Sequence, residues 1–237
     1  MSTQVNIIVK RLVDLGNADI AVHSQRFFKT AKGEYGEGDR FLGIRVPVLR
    51  KMVREYRGLS LKEILELLSV PYHEGRLLAL LILVAKYLAC ELEKEKKAIY
   101  KAYLDNITHI NNWDLVDSSA YQIVGAYLYS RDKQPLYKLA HSRDLWARRI
   151  SIIATYYFIK CASYSETLDI AEKLLLDRED LIHKAVGWML REVGKRDVTI
   201  LDGFLTMHYK AMPRTMLRYA IEKHPEADRL AYLHGSK

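Results

Sequence analysis

Three short blocks of the chain combine residue types that could act on a charged, planar substrate. They are Asn112-Trp113-Asp114-Leu115-Val116-Asp117, Asp144-Leu145-Trp146-Ala147-Arg148-Arg149 and Lys184-Ala185-Val186-Gly187-Trp188-Met189-Leu190-Arg191. On a helix, Trp113 and Asp117 stand at i and i+4 and face the same way. An indole face attracts cations and polarised C–H groups, each worth roughly 0.5–2 kcal/mol. A carboxylate can stabilise a positive charge as it develops, and an arginine can hold a phosphate through a charge-assisted bond. The same residues also have an ordinary reading. Tryptophans at helical spacing pack in cores, and Asp114 or Asp117 could cap a helix. Other chemistries lack their residues. The eight histidines form no HExxH or paired-ligand spacing, and there is no GxSxG elbow. Most of the histidines are expected at the surface or in caps. No cofactor is implied.

Helices must position these blocks, because apolar residues recur at offsets of three and four almost throughout the chain. Stretches 110–129, 144–160, 164–176, 181–193 and 212–222 read this way. Twelve to fourteen helices are expected. Ser60 opens a Ser-x-x-Glu capping box with Glu63, and Asp144, Ser163 and Asp180 are N-cap candidates. The five prolines all stand at plausible helix boundaries, and the one strong turn dipeptide is Asp202-Gly203. Segment 31–43 holds four of the twelve glycines but neither GxGxxG nor GxxxxGK[ST], and reads as a flexible connection.

A weak internal repeat overlies this pattern. Small residues flanked by bulky ones occur at Ala79, Ser119, Ser151 and Gly187, at intervals of 40, 32 and 36 residues. Three positions earlier stand Arg76, Val116, Arg148 and Lys184. Periods near 40 with paired helices predict an all-α fold, an α-α superhelix (solenoid) of HEAT-like helical repeats. Such a solenoid has a concave groove. The register places Asp117, Arg149 and Trp188 in one groove, within a single domain spanning 1–237.

Composition limits the partner. The chain has 237 residues, 37 Lys and Arg against 29 Asp and Glu, and a net charge of +8. That surplus permits a polyanion but does not choose one. The longest apolar run, Leu77–Ala85, is nine residues, far short of the roughly 20 that a spanning helix needs. No secretory leader is expected at the N-terminus. Cys90 and Cys161 fit no zinc or CxxC spacing, and buried free thiols in a reducing cytoplasm are expected.

The three blocks resemble those of the AlkD family of DNA glycosylases, HEAT-like-repeat enzymes that excise alkylpurines. The family shows an aromatic-Asp-x-x-Asp block, a Trp-x-x-Arg block and a Lys-Ala-x-Gly-Trp-x-Leu-Arg-Glu block, in this order. The chain matches the last at seven fixed identities, from Lys184 to Glu192. Phe41-Leu42-Gly43-Ile44-Arg45-Val46-Pro47 resembles the family's N-terminal Phe-Leu-Gly-Ile signature. The resemblance, which runs from about residue 20 to 222, implies a catalytic Asp117 with Trp113 and Trp188 as active-site tryptophans. It makes Arg149 the phosphate clamp, with Arg148 as the competing assignment. A family aromatic near the N-terminus corresponds to Phe27 or Phe28. Asn112 stands where the family has an aromatic.

Excision without a base-flipping pocket is implied, from double-stranded DNA containing N3- or N7-alkylated, cationic purines. Arg148, Lys184, Arg191 and Arg45 are the implied DNA-binding cations, and a cytoplasmic, nucleoid-associated monomer is expected. No lysine is placed as a Schiff-base nucleophile, which argues against a lyase step. The alternative is a non-catalytic HEAT-like DNA-binding or scaffold protein. A protein-binding solenoid fits the positive charge less well.

Overall fold

The computed structural model describes residues 1–237. The chain is all-helical, and its only β-type pairing is an isolated bridge between Arg40 and Tyr72. Contacts divide it into two compact units, Met1–Ile123 and Val124–Lys237. The first holds α1 (Thr3–Asp14), α2 (Ala18–Phe27), α3 (Val46–Tyr56), α4 (Leu61–Leu68), α5 (His73–Ala89), α6 (Glu93–Asp105) and α7 (Trp113–Asp117). The second holds α8 (Ala126–Leu128), α9 (Gln134–Ala140), α10 (Leu145–Ala154), α11 (Tyr156–Lys160), α12 (Ser165–Lys173), α13 (Asp180–Gly194), α14 (Val198–His208), α15 (Arg214–Ala220) and α16 (Glu226–His234). No helix is long and apolar enough to cross a membrane.

Each unit is organised around one long apolar helix. In the first, α5 packs against α3 and α4 and buries Leu77, Leu78, Ala79, Leu80, Ile82 and Leu83. In the second, α13 packs against α10, α14 and α15. The small residues of the repeat are all buried. At Gly187 the reason is steric, because a Cβ there would come within 2.5 Å of Met216 O and Tyr219 Cβ on α15.

Helix starts follow the local chemistry. Ser60 and Glu63 form the full capping box, and the Asp144 carboxylate caps α10 through the Ala147 N–H. Pro47 and Pro135 lie in the first turns of α3 and α9, while Pro213 and Pro225 are N-caps of α15 and α16. Several expectations need correction. Ser163 does not cap α12, because its N–H closes a Schellman turn on Phe158 O at the end of α11, with Ala162 in the left-handed region. Asp180 is the first residue of α13, and Glu179 is its cap. Asp202-Gly203 lies inside α14, where open space surrounds Gly203.

There are sixteen α-helices, more than expected, because hydroxyls break two of the longer periodic stretches. Ser119 Oγ bonds Leu115 O at 2.6 Å, ahead of a π-turn at Tyr121–Gly125. Thr155 Oγ1 bonds Ile152 O at 2.7 Å between α10 and α11. Such side chains compete with the helical ladder. The thiols are not both buried either. Cys90 is half-buried at the end of α5, and Cys161 is exposed at the cap of α11.

Candidate active site

In the first unit the site starts from Asn112, which is fully buried and caps α7. Its Oδ1 accepts the Trp113 N–H at 2.8 Å, and its Nδ2 donates to Asp39 Oδ2 at 3.3 Å. The residue that departs from the family aromatic therefore works as a polar cap. Trp113 and Asp117 begin and end the five-residue helix, so they share a face one turn apart. Both are half-buried.

Trp113 is held by rings. Phe28 stacks on it at 5.2 Å and 16°, and Phe27 meets it edge-on at 5.9 Å. Both N-terminal phenylalanines thus lie against the indole. A Schellman turn fixes them, with Lys29 in the left-handed region and the Thr30 N–H on Gln25 O. Phe28 stacks on Phe41 at 4.9 Å, and Phe41 stacks on the His73 ring at 4.3 Å.

The glycine-rich segment 31–43 is tied down, contrary to the expected flexible connection. Asp39 pairs with Arg76 and, at 2.9 Å, with His73 Nδ1. The buried Glu74 carboxylate accepts three backbone N–H groups: Leu42 on Oε2 at 2.9 Å, and Gly43 and Ile44 on Oε1 at 2.7 and 3.1 Å. Gly43 is required there. Its φ is +81°, and a Cβ would lie 2.1 Å from Asn17 O.

His73 was expected among surface or capping histidines. It is buried, 2% exposed, with Asp39 on Nδ1 and Asp114 on Nε2 at 2.8 Å. Burial alone would lower its pKa. The charges and hydrogen bonds of Asp114 and Asp39 more than offset this and push it up to about 9. Burial also opposes ionisation of Asp39, but His73 and Arg76 hold that carboxyl below its ordinary range. The two acids meet opposite ring nitrogens, so they are not arranged to chelate one ion, and no group of three ligating side chains forms a metal site. A cavity of about 710 Å³ opens beside this cluster, lined by Phe28, Phe41, Ile44, His73, Leu77 and Asp114 among others. Arg45, the exposed N-cap residue of α3, is on its wall.

The second unit holds the other expected site residues. Trp188 on α13 donates from Nε1 to Glu192 Oε1 at 3.3 Å and lies 6.2 Å from the Tyr156 ring. Glu192 is itself paired with Lys195 and Arg196. Trp146 is a core residue. Arg149 is buried and donates to Leu181 O at 2.5 Å, which sets it against the helix carrying Lys184, Trp188 and Arg191. Arg148 turns to Asp177, with Nε at 2.6 Å and Nη2 at 3.3 Å, and also donates to Ser142 O and Arg143 O. Lys184 pairs with Asp180 at 2.7 Å, and Arg191 pairs with Glu222.

Comparison with known proteins gives this arrangement a family. Residues 8–224 match the model of the DNA alkylation repair enzyme family, and the chain belongs to it. The family makes the protein an enzyme of alkylated-DNA repair, with DNA as substrate. Among solved structures, the chain is similar to one described as a predicted DNA alkylation repair enzyme from Enterococcus faecalis. The TM-score is 0.68 at 14% identity, covering 89% of this chain and 97% of that one. The shared fold is thus an α-α superhelical arrangement. No curated protein matches.

Proposed function

We propose that this protein is a monofunctional DNA glycosylase that removes N3- and N7-alkylated purines from duplex DNA, on a scaffold of HEAT-like repeats. One observation carries this reading. Asp117 stands one turn from Trp113 on the same helical face, and Phe28 stacks on that indole. An alkylated purine is a cationic leaving group, and its departure leaves oxocarbenium character on the deoxyribose. Asp117 stabilises that charge and positions water, as glycosidase carboxylates do. In the first unit Trp113 offers the sugar its electron-rich face; in the second, Trp188 offers another such face and Arg149 a phosphate contact. Arg45 and Lys184 supply further phosphate contacts. Arg148 and Arg191 serve chiefly to hold Asp177 and Glu222. The protein acts as a monomer on cytoplasmic DNA.

Release of 7-methylguanine from methylated duplex DNA tests this. Asp117→Asn should lower the rate by roughly 10²–10³-fold, the cost of removing one preorganised electrostatic group. Equal rates would sink the role of Asp117. No release by the wild type would favour a non-catalytic DNA-binding protein.

A further inference from the structure

We infer that His73 is the positioning residue of the Trp113–Asp117 turn, fixing it both through Asp114 and through the ring stack that carries the indole. The catalytic part of this inference rests on the glycosylase reading; the anchoring part does not. The two paths are independent. In the first, His73 on α5 bonds Asp114 in the first turn of α7. In the second, the His73 ring stacks on Phe41, Phe41 on Phe28 and Phe28 on Trp113, with Phe28 also 5.1 Å from His73. Asp39 and Arg76 brace the base of the arrangement. Asp39 takes the other His73 nitrogen, and Arg76 donates to Asp39 and, at 2.5 Å, to Asn111 Oδ1, just ahead of the α7 cap.

Charge and donor counting support this role. Two carboxylates on the two nitrogens need two N–H donors, which only the imidazolium provides. His73 and Arg76 then balance Asp39 and Asp114, and charges this deeply buried persist only when paired. The other charged or titratable groups around His73 are Glu74 on α5, Asp19 and His23 on α2, and Arg45 at α3. Glu74 is occupied by three backbone N–H groups. A neutral ring would set a lone pair against one carboxylate and loosen both paths. A 1 Å displacement of a positioned group costs on the order of 10²-fold in rate.

The test uses the full chain, with His73→Gln compared with wild type on methylated duplex DNA. The expected result is a kcat lower by about 10²-fold with KM nearly unchanged, as when an interaction made only in the transition state is lost. In wild type, kcat should fall as pH rises through about 9. The Trp113 indole N–H resonance, assigned with Trp113→Phe, should shift in His73→Gln while those of Trp146 and Trp188 stay. Unchanged kcat with an unmoved Trp113 resonance would overturn the inference. If wild type releases no alkylpurine, the glycosylase reading fails, and the resonance alone decides: a shift supports the anchor and an unmoved signal refutes it. If His73→Gln does not fold, the wild-type ring nitrogens decide by ¹⁵N NMR at neutral pH. Two protonated nitrogens support the inference, and a neutral tautomer overturns it.

Discussion

Glu74→Ala should destabilise the first unit by about 3 kcal/mol, taken from roughly 1–3 kcal/mol per unsatisfied buried donor. The wild-type carboxylate takes three donors that helix and turn bonding leave over. The Gly43 and Ile44 N–H groups are buried, and that of Leu42 is partly accessible. Stranding the two buried donors alone spans roughly 2–6 kcal/mol. The lower half of that range applies, because Glu74 lines the cavity beside His73 and water can enter where the side chain is removed. Glu74→Gln separates the bonds. Both buried donors use Oε1, which the amide oxygen can replace, while Oε2 serves Leu42, where an NH₂ would face an N–H. Gln should therefore cost only about 1–2 kcal/mol. At roughly 2–4 °C per kcal/mol for a chain of this size, Ala should lower Tm by about 6–12 °C. Urea unfolding gives the free energy, and amide exchange at Gly43 and Ile44 shows whether the loss is local. A cost for Ala under about 1 kcal/mol, the net worth of one ordinary hydrogen bond, would refute the reasoning, as would a Gln variant no better than Ala.

Four further outcomes follow from other contacts. The raised His73 pKa stabilises the fold fully below its unfolded value near 6.5, and this stability is lost as pH rises through about 9; urea midpoints between pH 7 and 10 should fall in wild type and stay flat in His73→Gln. Arg148→Ala should cost about 3 kcal/mol by leaving Asp177 unpaired in a partly buried site, and Arg148→Ala/Asp177→Ala should recover much of it. The salt slope of DNA binding should drop in Arg149→Ala and not in Arg148→Ala; the reverse would shift the clamp assignment by one residue. Gly187→Ala should destabilise the second unit by roughly 1–3 kcal/mol, because the added methyl meets α15 where neither a carbonyl nor a Cβ can move freely; a neutral result by thermal unfolding would show that the α13–α15 contact yields.

The helical character, the Ser60 box and the Asp144 cap were legible because each depends on residues close in sequence. So was the shared face of Trp113 and Asp117, which periodicity alone dictates. The breaks at Ser119 and Thr155 were not, because a serine or threonine in an apolar run reads as helix until its hydroxyl is seen on a carbonyl. The Asp39–His73–Asp114 cluster was harder still. Its members are 34 and 41 positions apart, and none shows an unusual local pattern. Segment 31–43 reads as flexible in sequence for the same reason. Its glycines are visible in sequence, but Glu74, which holds the Gly43 end of the segment, belongs to another element.

The same network explains why two acids three residues apart do not share one role. Asp114 is in the first turn of α7, where its Oδ1 also accepts the Leu115 N–H, and its other oxygen closes on a buried cation. Its charge is cancelled locally, so it contributes order and little outward field. Asp117 ends the helix beside the buried Tyr103 hydroxyl, whose ionisation is suppressed by burial and then further by the Asp117 charge. Tyr103 therefore stays a neutral phenol, bonded to Ser119. On the proposed reading, the Asp117 carboxylate meets the cation that forms during reaction. Removing the Asp114 carboxylate should therefore appear first as lost order around Trp113, and removing that of Asp117 as lost rate in a protein that remains folded.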